Sequence, residues 1–452
     1  MWFALISASL AMSPQQQRED VEEVRALLLS HPDADDPEAV ARWSAALDTV
    51  ATASDLEPHR FIGRLQSALA VVQDGHMDSI LGDEAVDAFL DLDGFLPYDM
   101  MVYGDDLYLD PRFHEPARVV SIDGRSGSEI VAALRQRLVS DSATPATVDA
   151  AIDRVFSNLH AKHDGLADTY EVVLDRGEPV SASVAGGSYD DVPYIGDASP
   201  NATSLEGGVL TVTLNEIMPG RQWRAFTRAI RRGMREAQGV VLDLRDCGGG
   251  FSPTSEELLD RFATRSGSFS NMRRIGRQFA ERQEEGSMFR TTFTPDEAGS
   301  WTVAPHLRGI DVVEVEPPRR PWAGPLVMLV GPGTFSACSN LASWLRPHRE
   351  GLIVLGSETS GGARRLNAGH FEGVLLSHSG IYVRVPLVQF TAPETFGELG
   401  RGVVPDRVLQ DRPDTKADEV MACARALALG QACVEADRPA WLSDERVRQG
   451  NG

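Results

Sequence analysis

The chain has 452 residues, 42% hydrophobic and 24% charged, which is enough apolar content for two or three packed domains and too much for a disordered chain. The formal net charge of −23 argues against nucleic acid or an anionic membrane as the main partner, because phosphate binding draws on clustered Lys and Arg. The four cysteines, Cys247, Cys338, Cys423 and Cys433, make no CxxC pair and no Cys/His spacing that suits zinc.

The first residues, MWFALISASLAMS, read as the apolar region of a signal peptide with cleavage near Ala11, without the usual basic residues in front. Residues 1–14 are therefore expected to be a signal-peptide remnant, and the protein periplasmic or secreted. No later run reaches the roughly 18 apolar residues of a membrane span. Residues 15–97 are expected to form a helical lobe. Val21, Val24 and Leu28 share one helical face, and Phe61, Leu65, Leu69 and Val72 share another. Between them His31–Pro37 is a break, and Asp74-Gly75 is a turn that leaves His76 in a loop.

Residues 98–190 read as a smaller β-rich lobe, with strands at Val119–Ile122 and Tyr170–Leu174 and a helix through Ile130, Leu134 and Leu138. Gly186–Leu205 is a linker or surface loop. Residues 191–412 carry the alternation of a layered α/β core: a strand at Val209–Leu214, a helix through Trp223, Phe226, Ile230 and Met234, and a buried strand at Gly239–Leu244. A helix at Glu256–Phe262, a polar stretch at Ser266–Pro305 and a buried strand at Leu326–Val330 follow. Next come a helix through Ala337, Leu341, Trp344 and Leu345, and a strand at Leu352–Leu355. In residues 413–452, Asp414–Leu429 is a closing helix that stops at Gly430. Cys423 and Cys433 lie near its end, spaced either for a local disulfide in an exported protein or as two free thiols.

Four features carry chemistry. Ser336 follows the Gly331–Gly333 turn at the start of a helix, where a free backbone N–H and the helix dipole stabilise negative charge. Taken alone it reads as an N-cap serine. Gly248–Gly250, at the end of a buried strand, is either a tight turn or an oxyanion hole. Its surroundings hold no GxGxxG and no GK[ST], so nucleotide binding has little support. His76 is one of ten histidines, with His163 and His378 as rivals. Glu398, in a Gly-rich loop, is either solvated or set to orient a histidine.

In this order the motifs LAVVQDGHM (69–77), VVSIDG (119–124), VVLDLRDCGGG (240–250), PLVMLVGPGTFSACS (325–339), IVLGSETSGG (353–362), LSHSGIYVRVP (376–386) and GVVPD (402–406) resemble the tail-specific, or C-terminal-processing, S41 serine peptidases. The processing branch has a lysine base directly after the turn that matches Thr359-Ser360-Gly361. Gly362 stands there, and the following Arg364 and Arg365 stay protonated. The chain is similar instead to the tricorn-like and retinoid-binding-protein-like branch, whose base is a histidine in a D-G-H motif.

The resemblance implies a crotonase/ClpP-like layered α/β core with a helical N-terminal lobe and a PDZ-like lobe. It implies Ser336 as nucleophile, His76 as base, Glu398 (with Glu394 as rival) as the third member, and the N–H groups of Ala337 and Gly249 as the oxyanion hole. It implies no cofactor or metal, a peptide or unfolded-protein substrate, no nucleic acid, no stable membrane insertion, and room for a homo-oligomer. The alternative reading is an inactive ligand- or peptide-binding protein on the same scaffold. Three positions depart from the pattern: Cys247 stands where Asn is usual, Cys338 where Ser or Glu often follows the Ser-Ala pair, and Glu398 lies one residue further from Gly402-Val403 than the usual spacing.

Overall fold

A computed structural model describes residues 12–52, 57–139, 141, 145–193 and 199–433. Its centre is a six-stranded sheet in the order Ala202–Glu206, Val209–Thr213, Gly239–Asp243, Leu326–Val330, Leu352–Gly356 and Arg407–Val408. The first pairing is antiparallel and the other four are parallel. The middle strands are continuous apolar runs because both faces are covered. Val240, Leu242, Met328 and Val330 face the helices Arg221–Gly233, Ser252–Phe262 and Ala337–His348. Val241, Val327 and Leu329, one residue out of phase, face the last helix, Glu419–Ala428. Each fully buried Val, Leu or Ile contributes about 1.5–3 kcal/mol. The functional consequence is one of direction. Parallel strands deliver the loops that follow Asp243, Val330 and Gly356 to the same edge of the sheet.

The N-terminal helices Pro14–Leu28, Pro37–Ala51 and Pro58–Leu69 each begin with proline at the first turn, where no N–H is missed. Their core residues, among them Val24, Trp43, Leu47, Phe61 and Leu65, pack with Ile381, Val383 and Val385. Those three come from a long hairpin, Arg365–Leu375 and Ile381–Thr391. The strand Asp78–Leu81, just beyond His76, pairs with the same hairpin. The sequence places residues 376–386 with the α/β core, whereas the hairpin shares its core with the N-terminal helices. Ser266–Pro305, which reads only as polar, supplies three more strands of this second sheet, Met272–Ile275, Phe293–Pro295 and Trp301–Val303.

The smaller lobe has its own core, in which Val119, Ile122, Ile130, Leu134 and Tyr170 meet Ile152 and Phe156. Its first helix, Gly127–Arg137, starts in a capping box made by Ser126 and Glu129. The second, Ala146–His163, has no counterpart in the sequence reading. The expected linker also contributes structure, because Gly187–Ser188 pairs with Asp93–Phe95 and Ala202–Glu206 is a strand of the central sheet. The last helix begins later than expected, at Glu419, where the Asp418 carboxylate accepts the Met421 N–H at 2.7 Å. A disulfide joins Cys423 to Cys433. The signal-peptide stretch up to Ala11 lies outside the described residues. Among the described residues no helix is long and apolar enough to cross a membrane.

Candidate active site

Ser336 sits at the junction of the strand Leu326–Val330 and the helix Ala337–His348 with φ 51° and ψ −125°. A left-handed φ is unfavourable for a serine and persists only where the surroundings impose it. The sequence-level N-cap reading fails on the same geometry, since the Ser336 side chain makes no capping hydrogen bond. The half-buried hydroxyl is left at the head of the helix.

The turn before Ser336 is tied down by its neighbours. Thr334 Oγ1 donates to the Leu244 carbonyl at 2.7 Å and accepts the Gly331 N–H at 3.0 Å. The Phe335 N–H donates to the Cys247 carbonyl at 2.9 Å. The Gly361 N–H and the hydroxyls of Ser339 and Ser360 all donate to the Thr334 carbonyl, at 3.2, 3.0 and 3.3 Å. The loops that end three parallel strands are thus joined at one point.

Gly249 is pressed against this point. It has φ 111°, and a Cβ there would lie 2.6 Å from Ser336 Cβ and 3.2 Å from the Ala337 nitrogen. The Gly249 carbonyl accepts the Ile217 N–H at 2.8 Å, and the neighbouring Gly248 N–H donates to Asn215 at 3.2 Å. Ala337 is the first residue of its helix, where the backbone N–H has no partner within the helix. The two expected oxyanion donors therefore flank Ser336. Gly362 also has a geometric reason: a Cβ at that position would lie 2.1 Å from the Arg365 carbonyl oxygen, so no lysine fits there.

His76 arrives from the N-terminal lobe. Its ring is buried and stacks on Phe335, with centroids 4.4 Å apart. Neither ring nitrogen has a hydrogen-bond partner, and Nδ1 lies 3.7 Å from Asp141 Oδ2. Asp141 is itself buried and fixes the loop by accepting the Gly75 N–H at 2.5 Å. Burial disfavours the His76 cation, but the charges and hydrogen-bonding reach of Asp141, with the charge of Asp74, outweigh it and hold the pKa above the ordinary 6.5.

Asp74 anchors the loop from the other side. One oxygen accepts the His76 N–H at 2.8 Å, and the other accepts His31 Nε2–H at 2.7 Å and the Asn367 amide at 2.8 Å. His31 Nδ1 accepts the Asp33 N–H at 3.1 Å, which assigns the proton of the neutral ring to Nε2. Burial pushes the Asp74 carboxyl up, yet the His31 hydrogen bond, the His76 charge and the Asn367 hydrogen bond bring it below its ordinary value.

The remaining sequence candidates lie elsewhere. Glu398 is exposed, and its charge acts on Arg401. Glu394 is exposed and pairs with Arg364 at 3.5 Å. His378 pairs with Glu19 at 2.6 Å, and His163 is half-buried with a pKa lowered to about 4, chiefly by desolvation. The structure does not bring Glu398 to His76; the carboxylates that act on the ring are Asp141 and Asp74. Asp141, His31 and Asn367 carry no sequence signal of their own. Asp74, His76 and Asp141 also form the one group among the described residues with metal-ligand spacing, but hydrogen bonds already occupy both Asp74 oxygens.

Residues 208–409 match the model of peptidase family S41. No curated protein matches the chain in sequence. Among solved structures, mature CPAF complexed with lactacystin superposes with a TM-score of 0.58 at 14% identity, over 88% of this chain and 94% of that one. A CPAF serine-to-alanine mutant superposes with a TM-score of 0.60 at 13% identity, over 94% and 99% of the two chains. At these identities the likeness is one of fold.

Proposed function

We propose that this chain, whose residues 208–409 are an S41 peptidase domain, is a serine peptidase that uses Ser336 as nucleophile and His76 as base on peptide or unfolded-protein substrates. The observation that carries the reading is the backbone at Ser336. A non-glycine residue is held at φ 51° between a buried strand and a helix, its hydroxyl uncapped and Gly249 packed against its Cβ.

In the proposed cycle Ser336 Oγ attacks the scissile carbonyl while His76 takes its proton. The Ala337 and Gly249 N–H groups donate hydrogen bonds to the developing oxyanion. Collapse of the tetrahedral intermediate breaks the C–N bond, and the His76 proton goes to the leaving amine. Water then enters, gives a proton to His76 and hydrolyses the acyl ester. Proton transfer of this kind contributes about 10²–10⁴-fold, and one oxyanion donor about 10²–10³-fold. Asp141 takes the positioning role that the sequence assigns to Glu398: its charge favours the imidazolium that forms on attack. For the transfer, the His76 ring moves from its stack on Phe335 to reach Ser336 Oγ, as unliganded catalytic pairs commonly do on binding substrate.

Export to the periplasm or medium accords with the Cys423–Cys433 disulfide and with the apolar N-terminal sequence. A fluorophosphonate probe tests the reading. Covalent labelling is expected at Ser336, absent in Ser336→Ala and slowed at least 100-fold in His76→Ala. A folded protein that takes no label is a binding protein on this scaffold.

A further inference from the structure

We propose that a second disulfide, Cys247–Cys338, is a positioning cross-link that holds the oxyanion donors in register with Ser336. The proposal rests on the peptidase reading above. The bond joins residues 91 apart in sequence, with Cα atoms 6.0 Å apart, inside the usual span of a disulfide. Its ends fall at the two halves of the site. Cys247 lies two residues before Gly249, in the turn after the strand Gly239–Asp243. Cys338 directly follows Ala337, in the first turn of the helix that Ser336 opens. Both cysteines are fully buried.

The turn needs such a restraint. Gly248-Gly249-Gly250 is the most flexible tripeptide a chain can offer, and two of its members have φ of 111° and 132°. Backbone hydrogen bonds hold one side of it, from Ile217 to Gly249 and from Phe251 to Ile217, while toward Ser336 the bonds from Gly248 to Asn215 and from Phe335 to Cys247 lie near it. Ser336 on the other side occupies an unfavourable φ. A covalent bond from one side to the other fixes the Gly249 donor relative to the hydroxyl it must serve. A displacement of about 1 Å at such a site costs on the order of 10²-fold in rate. Forming the bond takes two protons and two electrons from the thiols, which pass to a disulfide-donating oxidoreductase or small disulfide during folding. The Cys423–Cys433 bond sits with the last helix on the opposite face of the sheet and makes a natural control.

The test uses the full chain. Thiol titration in denaturant without reductant is expected to find no free thiol. Cys247→Ser/Cys338→Ser, folded by circular dichroism, is expected to lose about 10- to 100-fold in kcat and in fluorophosphonate labelling rate with KM little changed. Amide exchange at residues 248–250 is expected to accelerate at least tenfold in the same variant. Cys423→Ser/Cys433→Ser is expected to keep rate and exchange within twofold of the parent. Free Cys247 and Cys338 thiols in the parent, or a folded double variant with parental labelling and parental exchange at 248–250, overturn the proposal. If the parent takes no label, the peptidase reading fails, and the thiol and exchange measurements still decide whether the bond holds the turn.

Discussion

The two halves of the candidate site are held in place by different means. The Ser336 half lies at the edge of a parallel sheet, where three strand-end loops are joined by backbone hydrogen bonds and glycines pack against neighbouring backbone. The His76 half is a loop at the end of a helical lobe, fixed by a buried network of side chains: His31, Asp74, Asn367 and Asp141. The Cys247–Cys338 bond adds a covalent tie between two of those loops. In the second half, neither imidazole nitrogen has a hydrogen-bond partner, and the ring is set by its stack on Phe335 and by Asp141 3.7 Å away. Under the proposed mechanism the oxyanion donors stand ready before substrate arrives, and the contact between His76 and Ser336 is completed on binding.

Substitutions that act on one half alone can break that comparison. The largest effect is expected at Gly249. Gly249→Ala places a Cβ 2.6 Å from Ser336 Cβ at a φ of 111°, so either the donor or the nucleophile must move. Turnover is expected to fall about 10²–10³-fold, the worth of one oxyanion donor, with KM nearly unchanged, as read by steady-state peptide hydrolysis. An equal loss with an unaltered circular dichroism spectrum places the damage at the site and not in the fold.

A smaller effect is expected in the His76 half. Asp141 raises the His76 pKa, and a His76 base as proposed works only when neutral, so kcat/KM is expected to rise with pH through that raised value. In Asp141→Asn the charge that favours the cation is gone while burial still opposes it. The rising limb is therefore expected to move to lower pH. A limb that stays in place excludes Asp141 from the pair. The smallest effect is expected for Glu398→Gln. Its side chain is exposed, and its charge acts on Arg401. Hydrolysis within threefold of the parent is expected, and a loss of 100-fold or more restores Glu398 as the third member.

The same division explains what could be read from the sequence. The Ser336 half was legible because buried parallel strands are written as unbroken apolar runs, and the turns after them as Gly and Pro. Leu326–Val330 is a strand over the residues expected, and Gly239–Asp243 and Leu352–Gly356 lie within one residue of expectation. His76 was legible through Asp74-Gly75 and the family pattern. Its partners were not. Asp141 comes from beyond the helix Gly127–Arg137 of another lobe, and Asn367 comes from the hairpin that packs on the N-terminal helices. Contacts made across such distances by single side chains leave no period in the sequence. Cys247 and Cys338 were visible only as two separate departures from a family pattern, and the fold makes them partners. The hairpin Arg365–Leu375 and Ile381–Thr391 shares its core with the N-terminal helices, a pairing that its own residues do not announce.

The central claim is that a nucleophile fixed in one region is served by a base carried in another. A crystal structure of the protein with a peptide aldehyde bound tests it most directly. The account predicts a covalent bond from Ser336 Oγ, the adduct oxygen within hydrogen-bond distance of the Gly249 and Ala337 N–H groups, and a His76 ring nitrogen within reach of Oγ with Asp141 behind it. An adduct on Ser336 with His76 still stacked on Phe335 and another residue bonded to Oγ would contradict it.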